Sequence, residues 1–224
     1  MPKTLRLNTQ DQSRAAEPGT CVLQHRDGLS QRALLESLRV TRFGLISLAA
    51  IILLAVSALG QSALDLDGRT VNPLTGDSGK VTVLVFVRRD CPVSSRYAPR
   101  IQQIARDHAD RANFWLVYPD KDDSVAAIRE HLKAYGYRLP VLRDPSHALV
   151  KAAHVQIAPE VAVFDRAHRL VYDGRIDDLY ISPTRARPAA TTHELEDAIR
   201  AAEAGKSVAQ SEVRGVGCYI SDLE

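Results

Sequence analysis

Cys91 is the residue of this chain that is best placed to do chemistry. It follows the apolar run Val81–Val87 and directly precedes Pro92. Such runs are typical of buried strands, and proline is favoured at the first helical position, so the sequence predicts a thiol at a helix N-terminus. Unpaired backbone N–H groups and the helix dipole stabilise a thiolate there and lower its pKa. This pattern favours a redox nucleophile, and a buried, inert cysteine is the alternative.

Ser94 and Cys218 bear on what Cys91 can do. Ser94 lies one turn into the predicted helix, where its hydroxyl either donates to the thiolate or only caps the helix. Because serine stands at this position, a resolving thiol has to come from elsewhere. Cys218 is the only other cysteine of the predicted folded part, and an extended chain from Gly205 can span about 40 Å. An intramolecular disulfide with Cys91, an intermolecular disulfide and a free thiol all remain open.

Charged residues near the predicted site have two interpretations. Arg88, Arg89 and Arg96 either stabilise a thiolate or an attacked peroxide oxygen, or form a solvated basic rim, which is the simpler interpretation for each. Arg175 with Asp177–Asp178 is interpreted as a surface ion pair or a turn.

Strands and helices alternate around Cys91. Strands or extended pieces are predicted at 81–88, 112–118, 139–142, 159–165 and 169–174, and helices at 92–108, 122–135, 145–153 and 191–205. Residues 64–205 therefore form the predicted domain, and the Ser/Gly-rich segment 206–224, which carries Cys218, receives no predicted element. The order indicates an α/β fold with a mixed β-sheet flanked by helices.

An apolar segment precedes this domain. Residues 43–63 begin with an uncharged run, with arginines before it and aspartates after it, so the positive-inside rule predicts that the domain is exported. A cleaved signal peptide and an uncleaved membrane anchor both remain open. Residues 1–42 form a polar tail. If translation starts at Val40, this tail is an artefact of the assigned start site. In an exported protein, thiols can be oxidised and disulfides persist.

Composition excludes several classes of function. A net charge of +2 without an aromatic-rich basic run argues against nucleic acid binding. Three cysteines are too few for a disulfide scaffold, and the seven histidines form no close pair on a predicted helix. We therefore expect no cofactor and no metal site.

Several stretches together resemble the thioredoxin superfamily, in particular its redoxin (alkyl hydroperoxide reductase/thiol-specific antioxidant) branch. They are similar to stretches of exported bacterial redoxin-domain proteins, and they lie at Asp90–Ser94, Trp115–Asp120, Pro159–Asp165 and Gly174–Asp178. The resemblance covers about residues 64–205. It implies a thioredoxin-like fold in which Pro159 is cis, packs beside the active cysteine and presents backbone for pairing with a substrate.

The chain departs from both redox subfamilies. Thioredoxin-like reductases carry a second cysteine where this chain has Ser94, and a tryptophan where it has Asp90. Peroxiredoxins carry a threonine where it has Arg88. The missing threonine slightly favours thiol–disulfide exchange over hydroperoxide reduction.

The resemblance implies a catalytic set of Cys91, Ser94, Pro159 and Cys218. Cys91 attacks a disulfide of a redox partner protein or a hydroperoxide, and Cys218 or an external thiol resolves the product. The alternative is a non-catalytic module that binds a partner protein at the exported membrane surface.

Overall fold

A computed structural model describes residues 61–75, 79–221 and 223. The predicted polar tail and the apolar segment up to residue 60 lie outside these residues. Within the described ranges, no helix combines the length and the apolar character needed to cross a bilayer.

Short strands and four helices make up the described part of the chain. The strands are β1 Ala63–Leu64, β2 Thr70–Val71, β3 Val81–Phe86, β4 Ala112–Tyr118, β5 Val141–Arg143, β6 Ile157–Ala158, β7 Glu160–Phe164, β8 Leu170–Gly174, β9 Tyr180–Ser182, β10 Arg185–Ala186, β11 Glu212–Val213 and β12 Cys218–Tyr219. The helices are α1 Pro92–Asp107, α2 Val125–Ala134, α3 Ala148–Ala152 and α4 Glu194–Glu203, with a 3₁₀ turn at Pro73–Thr75.

Eight of these strands form one sheet in the order β11-β8-β7-β3-β4-β5-β1-β2. The central strands β3, β4 and β5 are parallel, whereas β7 runs antiparallel to β3 and β8 antiparallel to β7. Two further pairs, β9 with β10 and β6 with β12, lie outside this sheet. The predicted mixed sheet flanked by helices is confirmed.

The side chains of β3 alternate between two apolar clusters on opposite faces of the sheet. Val81, Val83 and Val85 pack with α1, α2 and α4 on one face, whereas Leu84 and Phe86 pack with α3 on the other. A strand that is buried on both faces needs a continuous apolar run, which explains the sequence of β3. The chain leaves the carboxyl end of this strand at the loop that delivers Cys91 to α1.

The tail of the chain is more ordered than the sequence analysis predicts. Residues 206–224 received no predicted element, yet β11 pairs parallel with β8 and β12 pairs antiparallel with β6. Gly174 permits the first of these contacts, because a Cβ atom there would lie 2.1 Å from the Val213 carbonyl oxygen. The last segment of the chain is therefore brought back to the edge of the domain.

The charged stretch after β8 fixes a loop. Arg175 pairs with Glu194, and Asp177 accepts a hydrogen bond of 2.6 Å from the buried Tyr97 hydroxyl. Asp178 accepts hydrogen bonds from the backbone N–H and the hydroxyl of Thr191. The interpretation as a surface ion pair is therefore corrected, because Arg175 pairs with Glu194 and both aspartates are buried.

Candidate active site

Cys91 lies at the N-cap of α1, as the sequence predicts. Its backbone is extended, with φ −92° and ψ 113°, and Pro92 opens the helix. The residue is fully buried, and its thiol donates a hydrogen bond of 3.2 Å to the Ala158 carbonyl oxygen. The nucleophile predicted from the sequence is thus held between the first turn of α1 and β6.

The surroundings of Cys91 act on its pKa in opposite directions. Burial is the largest influence and raises the pKa, because it penalises the charged thiolate. Hydrogen bonds from the Cys218 thiol, from the backbone N–H and hydroxyl of Ser94 and from the backbone N–H of Val93 lower it. Together these donors outweigh burial, so the pKa of Cys91 lies below its ordinary value. The thiolate is therefore the form that this helix terminus stabilises.

Ser94 has two hydrogen-bonding roles at this position. Its buried hydroxyl donates towards Cys91 and accepts the backbone N–H of Arg88 at 3.3 Å. One hydroxyl thus both orders the preceding loop and faces the thiol, but it does not cap the helix, because the N–H that it accepts belongs to Arg88 in the loop. Its catalytic role stays a prediction.

The Ala158–Pro159 peptide bond is cis, which confirms the expectation from the resemblance. Pro159 separates β6 from β7, and Ala158, directly before it, contacts Cys91 through its carbonyl group. The backbone that the resemblance assigns to substrate pairing therefore lies against the predicted nucleophile.

Cys218 occupies this backbone edge. In the β6–β12 pair Cys218 lies opposite Ala158 and Tyr219 opposite Ile157. Cys91 and Cys218 are both free thiols, and Cys218 lies close enough to influence the pKa of Cys91. Of the arrangements that the sequence left open, the structure brings the two thiols of one chain together.

The pKa of Cys218 is shifted in the opposite direction to that of Cys91. Burial, the hydrogen bond to Cys91 and the negative charge of the Cys91 thiolate raise it to about 11, against an opposing effect of the Arg88 charge. At neutral pH Cys91 is consequently the better source of a thiolate, and Cys218 holds its proton.

Arg88 connects the loop before Cys91 to the tail of the chain. Its guanidinium donates to the Tyr219 carbonyl oxygen, pairs with Asp90 at 2.9 Å and lies 3.6 Å from Asp120. The sequence analysis considered Arg88 only as a charge near the thiol. Its tertiary role requires knowledge of where the tail lies, and no local signal supplies that.

Glu160 and Gly217 also position the tail, and the sequence analysis did not single them out for this role. The buried Glu160 carboxylate accepts the backbone N–H of Gly215 at 2.7 Å. A Cβ atom on Gly217 would lie 2.0 Å from the Ala158 carbonyl oxygen, so only glycine fits there. A carboxylate after Pro159 and two glycines just before a cysteine were the signals that could have indicated a close backbone approach.

Neither of two surface depressions includes Cys91 in its lining. The larger, about 440 Å³, is lined by residues such as Phe114 and Trp115 at the amino end of β4, the opposite end from the thiol. Among the described residues, no group of three or more His, Cys, Asp or Glu side chains is arranged to hold a metal ion.

Comparison with known proteins agrees with this geometry. The sequence profile of the Redoxin family matches residues 55–183, which is more than half of the chain. The chain belongs to the Redoxin family.

Two solved structures resemble this Redoxin protein. A hypothetical protein from Sinorhizobium meliloti 1021 is 25% identical with a TM-score of 0.61, over 71% of this chain and 88% of its own. An uncharacterized conserved protein from Geobacillus kaustophilus is 24% identical with a TM-score of 0.61, over 71% of this chain and 86% of its own. None of the curated proteins matches the chain. The thioredoxin-like fold is confirmed, and membership of the Redoxin family supports a thiol-based redox function in general.

Proposed function

We propose that this protein is an exported thiol–disulfide oxidoreductase, with Cys91 as the nucleophile and Cys218 as the resolving thiol. The observation that carries the proposal is the pairing of Cys218 with Ala158, directly before cis-Pro159, because the Ala158 carbonyl oxygen is also the hydrogen-bond acceptor of the Cys91 thiol. The opposed pKa shifts support the division of roles, because the thiolate is the attacking species. Export is proposed from the apolar segment and its flanking charges.

The reaction exchanges two electrons. The Cys91 thiolate attacks one sulfur of a substrate disulfide, which breaks the S–S bond, releases one substrate thiolate and leaves a mixed disulfide at Cys91. Cys218 then loses its proton and attacks the Cys91 sulfur. The second substrate thiolate departs, and a Cys91–Cys218 disulfide remains. An external dithiol returns the two electrons to the protein for the next cycle.

Hydroperoxide reduction is the competing reaction of the same thiol. There the Cys91 thiolate attacks a peroxide oxygen and breaks the O–O bond, so that an alcohol or water leaves and Cys91 becomes a sulfenic acid. Cys218 then condenses with the sulfenic acid to form a disulfide and releases water. Arg88 occupies the position of the peroxiredoxin threonine, and its guanidinium is engaged with Tyr219, Asp90 and Asp120. This engagement favours disulfide exchange.

A non-catalytic module that binds a partner protein at the membrane surface is the alternative of a different class. Such a module has no use for a thiolate. The lowered pKa of Cys91 and the adjacent second thiol therefore favour redox chemistry over this alternative.

Trapping of the mixed disulfide tests the proposal. The full chain with Cys218→Ser is treated with oxidised glutathione as a probe, and adducts are mapped by mass spectrometry. We expect a glutathione adduct that persists at Cys91, whereas the wild type passes on to a Cys91–Cys218 disulfide and releases both glutathione molecules. The matched control Cys21→Ser should behave as the wild type does.

The contradicting results identify the alternatives. If Cys91 forms a sulfenic acid with hydrogen peroxide but no adduct with oxidised glutathione, the protein is a peroxidase. If Cys91 reacts with neither probe, the redox proposal is wrong and the binding module is favoured.

A further inference from the structure

The chain's own tail covers the backbone edge beside Cys91. We define the tail strand as residues 212–220 and the docking edge as residues 156–158. The tail strand begins as β11 on the sheet, continues past Glu160 and ends as β12 on the docking edge, where the Ile220 N–H donates to the Gln156 carbonyl oxygen at 2.9 Å. It therefore lies on this edge as an extended peptide would, in antiparallel register.

Gly217 sets how a strand can lie on the docking edge. A Cβ atom there would lie 2.0 Å from the Ala158 carbonyl oxygen and 2.7 Å from its carbon, distances that any side chain would violate. The contact is to backbone, which cannot swing away as a flexible side chain does. A strand in this register therefore needs glycine directly before the cysteine that faces Cys91.

The tail strand also closes the site. Cys91 is fully buried while the tail strand is in place, so a disulfide of another protein cannot reach it. The cover is held by short pairings, two residues each in β11 and β12, by the bond from Arg88 to Tyr219, by the bond from the Gly215 N–H to Glu160 and by the buried side chain of Ile220. Segments with few pairings open locally at lower free energy than the core. Tyr219 points outwards with 72% of its surface exposed, so side-chain packing at that position adds little.

We propose that the docking edge binds extended strands of substrate proteins in which glycine precedes the reacting cysteine, and that the tail strand is a tethered form of this ligand. The inference rests on the proposed function. The tail strand leaves, the substrate strand docks in its place, and Cys91 attacks the substrate disulfide. The S–S bond of the substrate breaks, one of its sulfurs becomes a thiolate and the other forms a mixed disulfide with Cys91. The substrate strand then leaves the docking edge while still bonded to Cys91, and the tail strand returns with Cys218, which loses its proton and attacks the Cys91 sulfur. The second substrate sulfur departs as a thiolate, and the internal disulfide remains.

The rate at which Cys91 is labelled tests whether the tail strand covers it. In the full chain with Cys218→Ser, the rate at which a maleimide labels Cys91 is compared with and without Gly217→Ala. The added methyl group should displace the tail strand from the docking edge and raise the labelling rate about tenfold or more. Ser211→Ala is the control, because its exposed side chain lies just before the tail strand, and it should leave the rate unchanged.

Peptides measure the sequence preference of the exposed edge. A synthetic peptide with the sequence of residues 212–220, with serine in place of cysteine, should slow the labelling of the Gly217→Ala variant again. The same peptide with alanine in place of the second glycine should not slow the labelling of Cys91. Circular dichroism confirms that the variant is folded. If Gly217→Ala is unfolded, Arg88→Gln is used in its place. This change removes the hydrogen bond to the Tyr219 carbonyl oxygen and should likewise raise the labelling rate of Cys91.

Failure of this inference and failure of the proposed function give different results. An unchanged labelling rate in Gly217→Ala, an equal increase in Ser211→Ala or slower labelling with both peptides would overturn the docking proposal, even if the wild type exchanges disulfides. Selective protection by the glycine peptide supports the docking edge. Because labelling needs no turnover, that result would stand even if the trapping experiment with oxidised glutathione failed.

Discussion

The reactivity of Cys91 depends on a few hydrogen-bond donors at the first turn of α1. Burial alone would raise its pKa and keep the thiol protonated, and the donors on Cys218, Ser94 and Val93 reverse that direction. Each donor can be tested separately, because each belongs to a different residue or to a different group of the same residue.

Ser94→Ala removes one side-chain donor. We expect the pKa of Cys91 to rise towards its ordinary value, so that less thiolate is present at neutral pH. We also expect a loss of about 1 kcal/mol of stability, because the Arg88 N–H loses its acceptor. The ultraviolet absorbance of the thiolate against pH, and a urea melt, give the two quantities.

The neighbouring Ser95 supplies a matched control for this prediction. Its buried hydroxyl lies 3.4 Å from His131 Nε2, and the influences on the pKa of Cys91 do not include it. Equal pKa values for Cys91 in Ser94→Ala and Ser95→Ala would show that the Ser94 hydroxyl does not act on the thiolate.

Individual residues of the site differ in how far the sequence could predict them. Cys91 was predictable because its signals are local: an apolar run before it and a proline after it. The cis state of Pro159 followed only from the resemblance, since most X–Pro bonds are trans. The partner of Cys218 could not be predicted, because thirteen residues of tail leave its path open. The need for glycine at Gly217 could not be predicted either, because it arises from the close approach to the Ala158 carbonyl group.

At the scale of elements, Glu160 anchors the tail strand to β7. Its buried carboxylate accepts backbone N–H groups of Gly215, Gln156 and Ile157. Replacement by glutamine turns one acceptor oxygen into a donor that faces these N–H groups. We expect Glu160→Gln to cost about 1–3 kcal/mol and to speed amide exchange in the tail strand.

Glu212→Gln is the control for this prediction. Glu212 lies in the same tail strand but is exposed, where it pairs with Arg214. It should change stability by less than about 0.5 kcal/mol. If hydrogen–deuterium exchange of the tail strand is the same in both variants, Glu160 does not hold it.

Asp178 makes the loop after β8 sensitive to acid. The Thr191 hydroxyl, with the Thr192 and Thr191 N–H groups, lowers the pKa of Asp178 in the folded protein, in spite of some desolvation. Its stabilising contribution is therefore present above the unfolded pKa of about 3.9 and is lost as pH falls through the lower folded value.

Asp178→Asn should accordingly lower the melting temperature at about pH 5, which is roughly one unit above the unfolded pKa of aspartate. The effect should become smaller as acid protonates the wild-type side chain. Melting curves of both proteins over this range of pH measure the difference. A difference that stays constant or widens in acid would contradict the assigned direction of the pKa shift.

The elements themselves were predictable to different degrees. The central strand β3 and helix α1 lie within two residues of their predicted bounds, because apolar runs and proline are strong local signals. The strands β11 and β12 have two residues each and form by pairing with β8 and β6. They are too short to show an alternating apolar pattern in the sequence. The part of the site that came from the tail was therefore beyond local reasoning.

At the scale of the whole molecule, the proposed disulfide links stability to redox state. A bond between Cys91 and Cys218 would close a loop of roughly 130 residues and reduce the entropy of the unfolded chain. We expect the oxidised protein to be more stable than the reduced protein by about 2–4 kcal/mol. This is less than the loop entropy alone would give, because the stabilised Cys91 thiolate favours the reduced form. Calorimetry of both forms measures this difference.

The double variant Cys91→Ser/Cys218→Ser is the control for that comparison. It should melt at the same temperature under oxidising and reducing conditions. A redox-dependent shift that persists in this variant would assign the effect to other groups.

The division of roles between the two thiols is tested most directly by titrating them separately. Iodoacetamide alkylation of the wild type is followed against pH, and mass spectrometry reports the labelling of each thiol while the other is still in place. We predict that Cys91 ionises below the ordinary thiol pKa and Cys218 well above it, at about 11. If Cys218 ionises first, or if both ionise at the ordinary value, Cys91 is not the activated nucleophile.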